Sequence, residues 1–392
     1  MTTASQPRPV AWNLRGVSLM AFAHGASDLY SGILPFVIFY DVTRAGLPAW
    51  CQGILAFVWY LTSSIAQPVV GAHSDRHGRW WYLPTSVALT AIAVSFAAAA
   101  TSIAVLAACV VAGGIGSAVM HPEAGRYTSL LGGARRASAI SIFQIGGQVG
   151  YGLGPLVAAA LLANGGLASV VAMAVPGLVA ALAVGVVLPG FARSADAAAP
   201  RRTGAADGPA PRVDHLAIGL LVASTSLRYL TGASFAYYLP NLLTARGLSL
   251  TATGAVVTAF LIAAAIGLYA GGATADRLGA ARVAIAGLVL AVPPLLLALG
   301  THGAPTVAAL LVGSVLLSVQ NAPGVALAQS LLPRNLGTAL GLMNGVAFGI
   351  GSAGVAAVGV IVTRYGADTG LLVVSFAPLL AAAAYVVVAR RG

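Results

Sequence analysis

GAHSDRHGRW, residues 71–80, returns as GATADRLGAA at residues 272–281. The offset is 201, and it pairs Gly71 with Gly272, Asp75 with Asp276, Arg76 with Arg277 and Gly78 with Gly279. The same offset carries Pro122 onto Pro323 and Ser129-Leu130-Leu131 onto Ser330-Leu331-Leu332. An offset of 200 aligns SAISIFQIGG (138–147) with TALGLMNGVA (338–347). Similarity at a fixed offset marks a structural unit that occurs twice. What that unit is follows from the sequence on either side of these words.

The surroundings are apolar almost throughout. Hydrophobic residues make up 59% of the 392 and charged residues 7%, and the mean hydropathy is +0.92. Soluble domains carry about 25% charged residues, so this chain has too few to coat a water-facing surface. That disfavours a soluble enzyme, a nucleic-acid binder and a disordered chain. The net charge of +11 comes from 20 Arg with no Lys, scattered among apolar runs without forming a basic face, so no nucleic-acid partner is expected. Cys51 and Cys109 lie in separate runs, lack metal spacing and read as free thiols.

A helix that spans a bilayer needs about 20 mostly apolar residues. Twelve such runs occur, at 14–39, 50–73, 82–100, 103–127, 137–163, 168–190, 215–239, 252–274, 281–300, 304–332, 335–362 and 368–389. They are long and rich in Ala, Leu, Val and Gly, whereas barrel strands would be shorter and alternating. With the N-terminus inside, 15 Arg fall in cytoplasmic segments, 3 in outer loops (Arg44, Arg246, Arg364) and 2 within runs (Arg126, Arg228). This is the positive-inside asymmetry, and it makes both termini cytoplasmic. Residues 191–214, FARSADAAAPRRTGAADGPAPRVD, have no apolar period and read as a cytoplasmic linker. The expected fold is an all-α integral membrane protein of twelve transmembrane helices. It has two pseudo-symmetric six-helix bundles, residues 1–190 and 215–392. Both halves start on the same side, so the repeat is parallel. Two parallel six-helix halves around a midplane site are the major facilitator arrangement.

The polar residues fit that arrangement. Runs 1, 4 and 7 hold His24, Asp28, His121, Glu123, Arg126 and Arg228. Runs 5, 10 and 11 hold Gln144, Gln148, Gln320, Asn321 and Asn344, while runs 3, 6, 9 and 12 hold no ionisable residue in their cores except Tyr385. Charges inside a membrane are costly and face a bundle interior or a wet cavity.

HGASD at 24–28, QPVVG at 67–71 running into SDRHGR, HPEAGR at 121–126 and FQIGGQVGYGLGPL at 143–156 are specific enough to name a likeness. The chain resembles the fosmidomycin-resistance branch of the major facilitator superfamily. The likeness covers the architecture of the whole chain, but its characteristic words lie only in the first half. Ser27 stands where members often have Asn. The resemblance implies proton-driven export of small drugs, a phosphonate antibiotic among them.

His24 and Asp28 are four apart and share a helix face. A carboxyl that changes charge in a low-dielectric cavity suits proton coupling, and hydrogen bonding alone is the bland alternative. Glu123, the only Glu in the chain, and Arg126 are three apart and can pair. Either protonating Glu123 frees Arg126 to hold an anion, or the two form a fixed ion pair. The proton candidates are therefore Asp28, Glu123 and His24. Arg228 has no acidic residue within a turn of it, with Tyr229, Tyr237 and Tyr238 close by. It needs a partner from another helix or an anionic ligand. Arg126 and Arg228 together could clamp a phosphonate or carboxylate; a salt bridge from Arg228 to Asp28 or Glu123 is the alternative. The substrate candidates are Arg126, Arg228, His121, Gln320, Asn321, Tyr238, Gln144 and Asn344. For Gln144 and Asn344, knitting helices together is the more ordinary role. Asp75, Arg76, Asp276 and Arg277 are candidates for a cytoplasmic gate. Gly146, Gly150 and Gly154 with Pro155 suggest close packing with bending or sliding. His24, Asp28, His121 and Glu123 are all possible metal ligands, but gathering the four looks geometrically hard, so no metal is expected.

The expected function is a proton-coupled antiporter in the inner membrane of a bacterium, monomeric, with no cofactor beyond the proton gradient. Its partners are a small anionic or zwitterionic compound, protons and the bilayer. One rival is a proton symporter importing a carboxylate, phosphate ester or metallophore. Another is a membrane sensor or scaffold, which would normally carry a folded soluble appendage. No nucleophile, base and orienting group fall at an enzyme's spacing.

Overall fold

Backbone N–H and C=O groups in hydrocarbon must find partners within their own segment, so a chain this apolar has little choice but the helix. The computed structural model describes residues 12–67, 69–70, 73, 79–197, 214–332, 339 and 341–391, and every regular element among them is helical. The α-helices are α1 (Leu14–Arg44), α2 (Trp50–Tyr60), α3 (Tyr82–Ala97), α4 (Ile103–Gly132), α5 (Arg136–Ala172), α6 (Ala174–Ala197), α7 (His215–Ala245), α8 (Leu250–Leu278), α9 (Ala280–Gly300), α10 (Ala304–Ser318), α11 (Asn321–Leu331), α12 (Ala347–Val374) and α13 (Ala377–Ala389). Two π-helical turns, Leu61–Ile65 and Leu342–Val346, extend α2 and lead into α12.

Among the described residues, eight helical stretches are long and apolar enough to cross a membrane. One of them, Leu342–Ala389, counts once although it is 48 residues long. At 1.5 Å per residue it is roughly twice as long as a crossing requires, and the backbone turns at Gly366 with φ +85°. α1 is not among the eight despite its 31 residues, because His24, Ser27, Asp28 and Ser31 interrupt its middle.

The repeat seen in the sequence reappears in backbone detail. Asn13 and Asp214, 201 residues apart, cap the first turns of α1 and α7 by accepting from the amides of Gly16 and Ala217. Gly46 and Gly247, again 201 apart, both have positive φ. Each ends its helix with the same pair of bonds: Leu47 N to Val42 O at 3.0 Å and Gly46 N to Thr43 O at 3.1 Å, against Leu248 N to Leu243 O at 3.0 Å and Gly247 N to Thr244 O at 3.0 Å. This is the glycine-terminated Schellman stop.

Three apolar clusters form the interior. One lies wholly in the first half, around Met20, Leu83, Tyr127 and Val184. A second lies in the second half, around Leu221, Leu288, Met343 and Tyr385. The largest crosses between the halves and includes Phe36, Trp59, Phe235 and Val355.

α1 and α5 form the closest seam within the first half. A methyl on Gly25 would lie 2.9 Å from the carbonyl oxygen of Gly146, and methyls on Gly146, Gly150 and Gly154 would strike the backbone of Ala21, Gly25 and Gly32. The glycine spacing thus gives close packing, as expected, and the seam is an interlocked one. Between the halves, the tightest contacts sit at the end that carries the α1–α2 and α7–α8 loops. There a methyl on Gly359 would lie 2.7 Å from Trp50 Cα, and one on Gly53 2.5 Å from Ala356 Cα. Trp50 N donates to Thr363 Oγ1 at 3.1 Å and Leu156 N to Thr258 Oγ1 at 3.0 Å. Moving toward the end that carries the helix starts at Leu14 and His215, the same measure widens to 3.4 Å at Gly349 against Ile65 and 3.8 Å at Gly345 against Ser64. Helices α2 and α12 therefore diverge from one end to the other.

The first residues of the linker expected at 191–214 are helical, because α6 continues to Ala197. Most of that linker, and Asp75 and Arg76 of the gate, lie outside the described residues. Asp276 and Arg277 are exposed near the end of α8.

Candidate functional site

α1 carries His24 and Asp28 one turn apart, and α4 brings His121 to the same place. His24 Nε2 lies 3.1 Å from Asp28 Oδ2, and His121 Nε2 lies 3.5 Å from Asp28 Oδ1. The opposite ring nitrogens are both held by backbone. His24 Nδ1 donates to the Phe143 carbonyl at 2.8 Å, and His121 Nδ1 donates to the Ser117 carbonyl, one turn earlier, at 2.8 Å. Phe143 also stacks on the His24 ring at 4.0 Å between centroids. His24 is buried, while the side chains of Asp28 and His121 keep 15% and 28% of their surface open. Asp28 is therefore partly open without being in bulk water.

This geometry fixes where the protons are. A carbonyl oxygen only accepts, so both Nδ1 atoms carry hydrogen. In a neutral ring Nε2 is then a lone pair. Two lone pairs aimed at an ionised carboxylate would repel it. The contact at 3.1 Å becomes attractive only when a proton lies between His24 and Asp28, on either partner. In this arrangement the His24–Asp28 contact is a hydrogen bond only when it holds a proton.

The same three residues are the set that could take a metal. Their donor atoms lie within 4.8 Å of one another. Among the described residues, the four possible ligands considered from sequence do not all assemble: three of them gather, and Glu123 stands apart. The reason is that α4 crosses α1 so that His121, near its proline, reaches back to Asp28. Zinc bonds of about 2.0–2.1 Å set tetrahedral ligands roughly 3.4 Å apart, so a spread reaching 4.8 Å fits hydrogen bonding better than a closed metal shell.

Glu123 is fully buried, and its carboxylate lies 3.8 Å from Arg126 Nη2, which is the pair expected at i, i+3. The Arg126 guanidinium sits over the Tyr127 ring at 4.4 Å. Arg228 is 7% exposed and makes no ion pair with a described residue, so neither bridge considered from sequence, to Asp28 or to Glu123, is present. Its guanidinium lies 5.8 Å from the Tyr229 ring and 5.9 Å from the Phe348 ring. It lines a cavity of about 120 Å³ together with Tyr60, Tyr151, Tyr229 and Ser318, residues drawn from both halves. Arg126 is not among the residues that line this cavity.

Other expected substrate contacts take different places. Tyr238 is completely buried, and its hydroxyl donates to Val355 O at 3.0 Å, so it packs the junction of α7 and α12. Gln320 is also fully buried, donating to Tyr385 Oη at 2.6 Å and to Thr225 Oγ1 at 3.2 Å. It sits between α10 and α11 at the break in that span. Asn321 is half-buried. Gln144 and Asn344 are exposed and form no hydrogen bond among the described residues, so they do not knit helices together here. Tyr60, Tyr151 and Phe348 were missed. Tyr151 lies inside the FQIGGQVGYGLGPL word, and a tyrosine at mid-run was the available signal.

Residues 17–225 and 221–392 match the Major Facilitator Superfamily. The chain is 29% identical to the fosmidomycin resistance protein of Escherichia coli over 394 residues, covering 97% of each. It is 28% identical to the uncharacterized MFS-type transporter YfnC of Bacillus subtilis, covering 94% of this chain and 91% of that one. In three dimensions it resembles a bacterial homolog of the human lysosomal transporter Spinster, solved in an inward-facing and unoccupied conformation, with TM-score 0.79, 16% identity and 97% of both chains covered. It also resembles the nucleoside transporter NupG, with TM-score 0.74, 14% identity and coverage of 95% of this chain and 99% of that one. A helical bundle with a repeated backbone, a buried arginine in a cavity lined by both halves and a family match along nearly its whole length lead to one assignment: the chain belongs to the Major Facilitator Superfamily, whose members are multi-pass membrane transporters and not enzymes.

Proposed function

We propose that the chain is a proton-coupled antiporter that exports a small anionic or zwitterionic compound by alternating access. It works as a monomer in the inner membrane of a bacterium and crosses twelve times, with both termini in the cytoplasm. The observation that carries the coupling is Asp28 set between two imidazole Nε2 atoms whose Nδ1 atoms are tied to backbone carbonyls. Loss of the proton held there sets imidazole lone pairs against the carboxylate, so the protonation and the geometry of the cluster are linked.

Twelve crossings are supported by the length of Leu342–Ala389 and its break at Gly366. The orientation is supported by the 15-to-3 distribution of Arg between the two sides. With the termini cytoplasmic, the divergence of α2 and α12 opens the protein inward, as in the Spinster homolog. Export is supported by the similarity to a protein named for fosmidomycin resistance.

Coupling requires that the proton and the compound favour different states of the same cavity, and the effect of each on the other is then reciprocal. Asp28 takes the proton, with His24 and His121 sharing it. Glu123 is the second proton candidate, since its protonation would release Arg126. Arg228 is the anion candidate in the cavity between the halves. The test is transport of fosmidomycin by the full chain in liposomes under an imposed pH gradient. Asp28→Asn is expected to abolish gradient-driven accumulation and keep downhill exchange. If Asp28→Asn and Glu123→Gln both leave gradient-driven transport intact, the coupling assignment is wrong.

A further inference from the structure

Taking the chain to carry a small anion, as proposed above, we infer that Arg228 holds the compound's single anionic head in the cavity between the halves. The aromatic rings beside it receive a flat or aromatic body. Arg228 is more than nine-tenths buried, and its Nε has no hydrogen-bond partner. A guanidinium left without an acceptor in such a place is costly, and a bound carboxylate or phosphonate removes the cost with two parallel N–H···O bonds.

The walls add a second requirement. Tyr60, Tyr151 and Tyr229 line the cavity, with Tyr60 edge-on to Tyr229 at 5.2 Å, and Phe348, outside the lining, stacks on Tyr229 at 4.2 Å between centroids. The cavity of about 120 Å³ takes a head group and little more. The rest of the compound then lies against the rings of Tyr60, Tyr151 and Tyr229, which favour a flat or aromatic body. Tyr60 and Tyr151 come from the first half, and Arg228, Tyr229 and Phe348 from the second. A ligand seated there touches both halves at once.

The experiment is titration of the full chain in lipid nanodiscs with phenylphosphonate, methylphosphonate and neutral benzamide. Phenylphosphonate is expected to bind at least about tenfold more tightly than either of the others, which is about 1.4 kcal/mol. Arg228→Gln is expected to lose phenylphosphonate binding, and Arg228→Lys to keep part of it by restoring the charge. Tyr60→Leu, which removes a ring of the cavity wall, is expected to bring phenylphosphonate down to the level of methylphosphonate, with methylphosphonate itself unmoved. Unchanged phenylphosphonate binding in Arg228→Gln, or benzamide binding as tight as phenylphosphonate binding, overturns the site. The two readings fail separately. If Arg228→Gln binds normally while Asp28→Asn abolishes the gradient drive, the anion site falls and the coupling stands. If the binding pattern holds while Asp28→Asn keeps the gradient drive, the coupling falls and the anion site stands.

Discussion

The rings of His24 and His121 stand edge to face with centroids 5.1 Å apart, and each turns Nε2 toward Asp28. The two contacts differ. His24 is the closer and more buried, and it is held from behind by Phe143. His121 lies at 3.5 Å and is more open.

That asymmetry predicts unequal mutants. His24→Gln should cut gradient-driven transport by tenfold or more, because it removes the shared proton at the shorter contact. His121→Gln should leave a larger residue of activity with an altered pH profile. Initial rates measured from pH 6 to 8 in proteoliposomes check this. Equal losses with unchanged profiles would show that the histidines only pack.

If the cluster holds a proton and not a metal, chelation should do nothing. Transport after treatment with EDTA should match the untreated rate, and zinc titrated into the purified chain should show no saturable site that disappears in His24→Ala. A one-to-one zinc site lost in that variant would reverse the choice between the two.

The α1–α5 seam has no room for a side chain. Gly25→Ala places a methyl 2.9 Å from the Gly146 carbonyl, and overpacking of this kind costs about 1–3 kcal/mol. A lowered thermal midpoint in detergent should report it. Gly125→Ala, where no atom lies within 4 Å of the added methyl, is the control.

At the far end, Gly53 lets α2 rest on α12. Gly53→Leu should hold that end apart and shift the population toward the alternate state. Spin labels at the exposed positions 47 and 365 should report longer distances in the variant. Unchanged distances would mean that this contact does not set the balance.

Asp214 is the group whose titration in the aqueous phase is clearest. Its carboxylate lies below the usual carboxylate range, chiefly because the Ala217 amide donates to it at 3.0 Å and secondly because Arg391 pairs with it at 3.0 Å. A lowered value means that the stabilisation is complete above the unfolded value of about 3.9. It is lost as pH falls through the folded value. Protection of the Ala217 amide, corrected for intrinsic exchange, should therefore fall on acidification. In Asp214→Asn, which keeps the cap without the charge, that pH dependence should vanish.

Much of the architecture was readable from the 201-residue offset, because a repeated backbone needs the same stop signals: Gly46 and Gly247, Asn13 and Asp214. The His24–Asp28 face was readable because helical spacing is local. Joining His121 to it required the crossing of α1 and α4, which no spacing within one run encodes. The same holds for Tyr60 and Tyr151, whose value lies in meeting Arg228 across the halves. Tyr238 misled for the converse reason. It is near Arg228 in sequence, yet its helix turns it into the α7–α12 junction.

The π-helical turns at Leu61–Ile65 and Leu342–Val346 approach each other where the halves begin to part, near Ser64 and Gly345. A wide turn holds one residue more than the regular spiral, and that surplus can be handed along the helix without breaking its ladder. The glycine seam of α1 and α5 holds no such slack. Rocking would therefore leave the His24–Asp28 face stiff, like the fixed arm of a balance, and draw its play from the two loosened coils opposite.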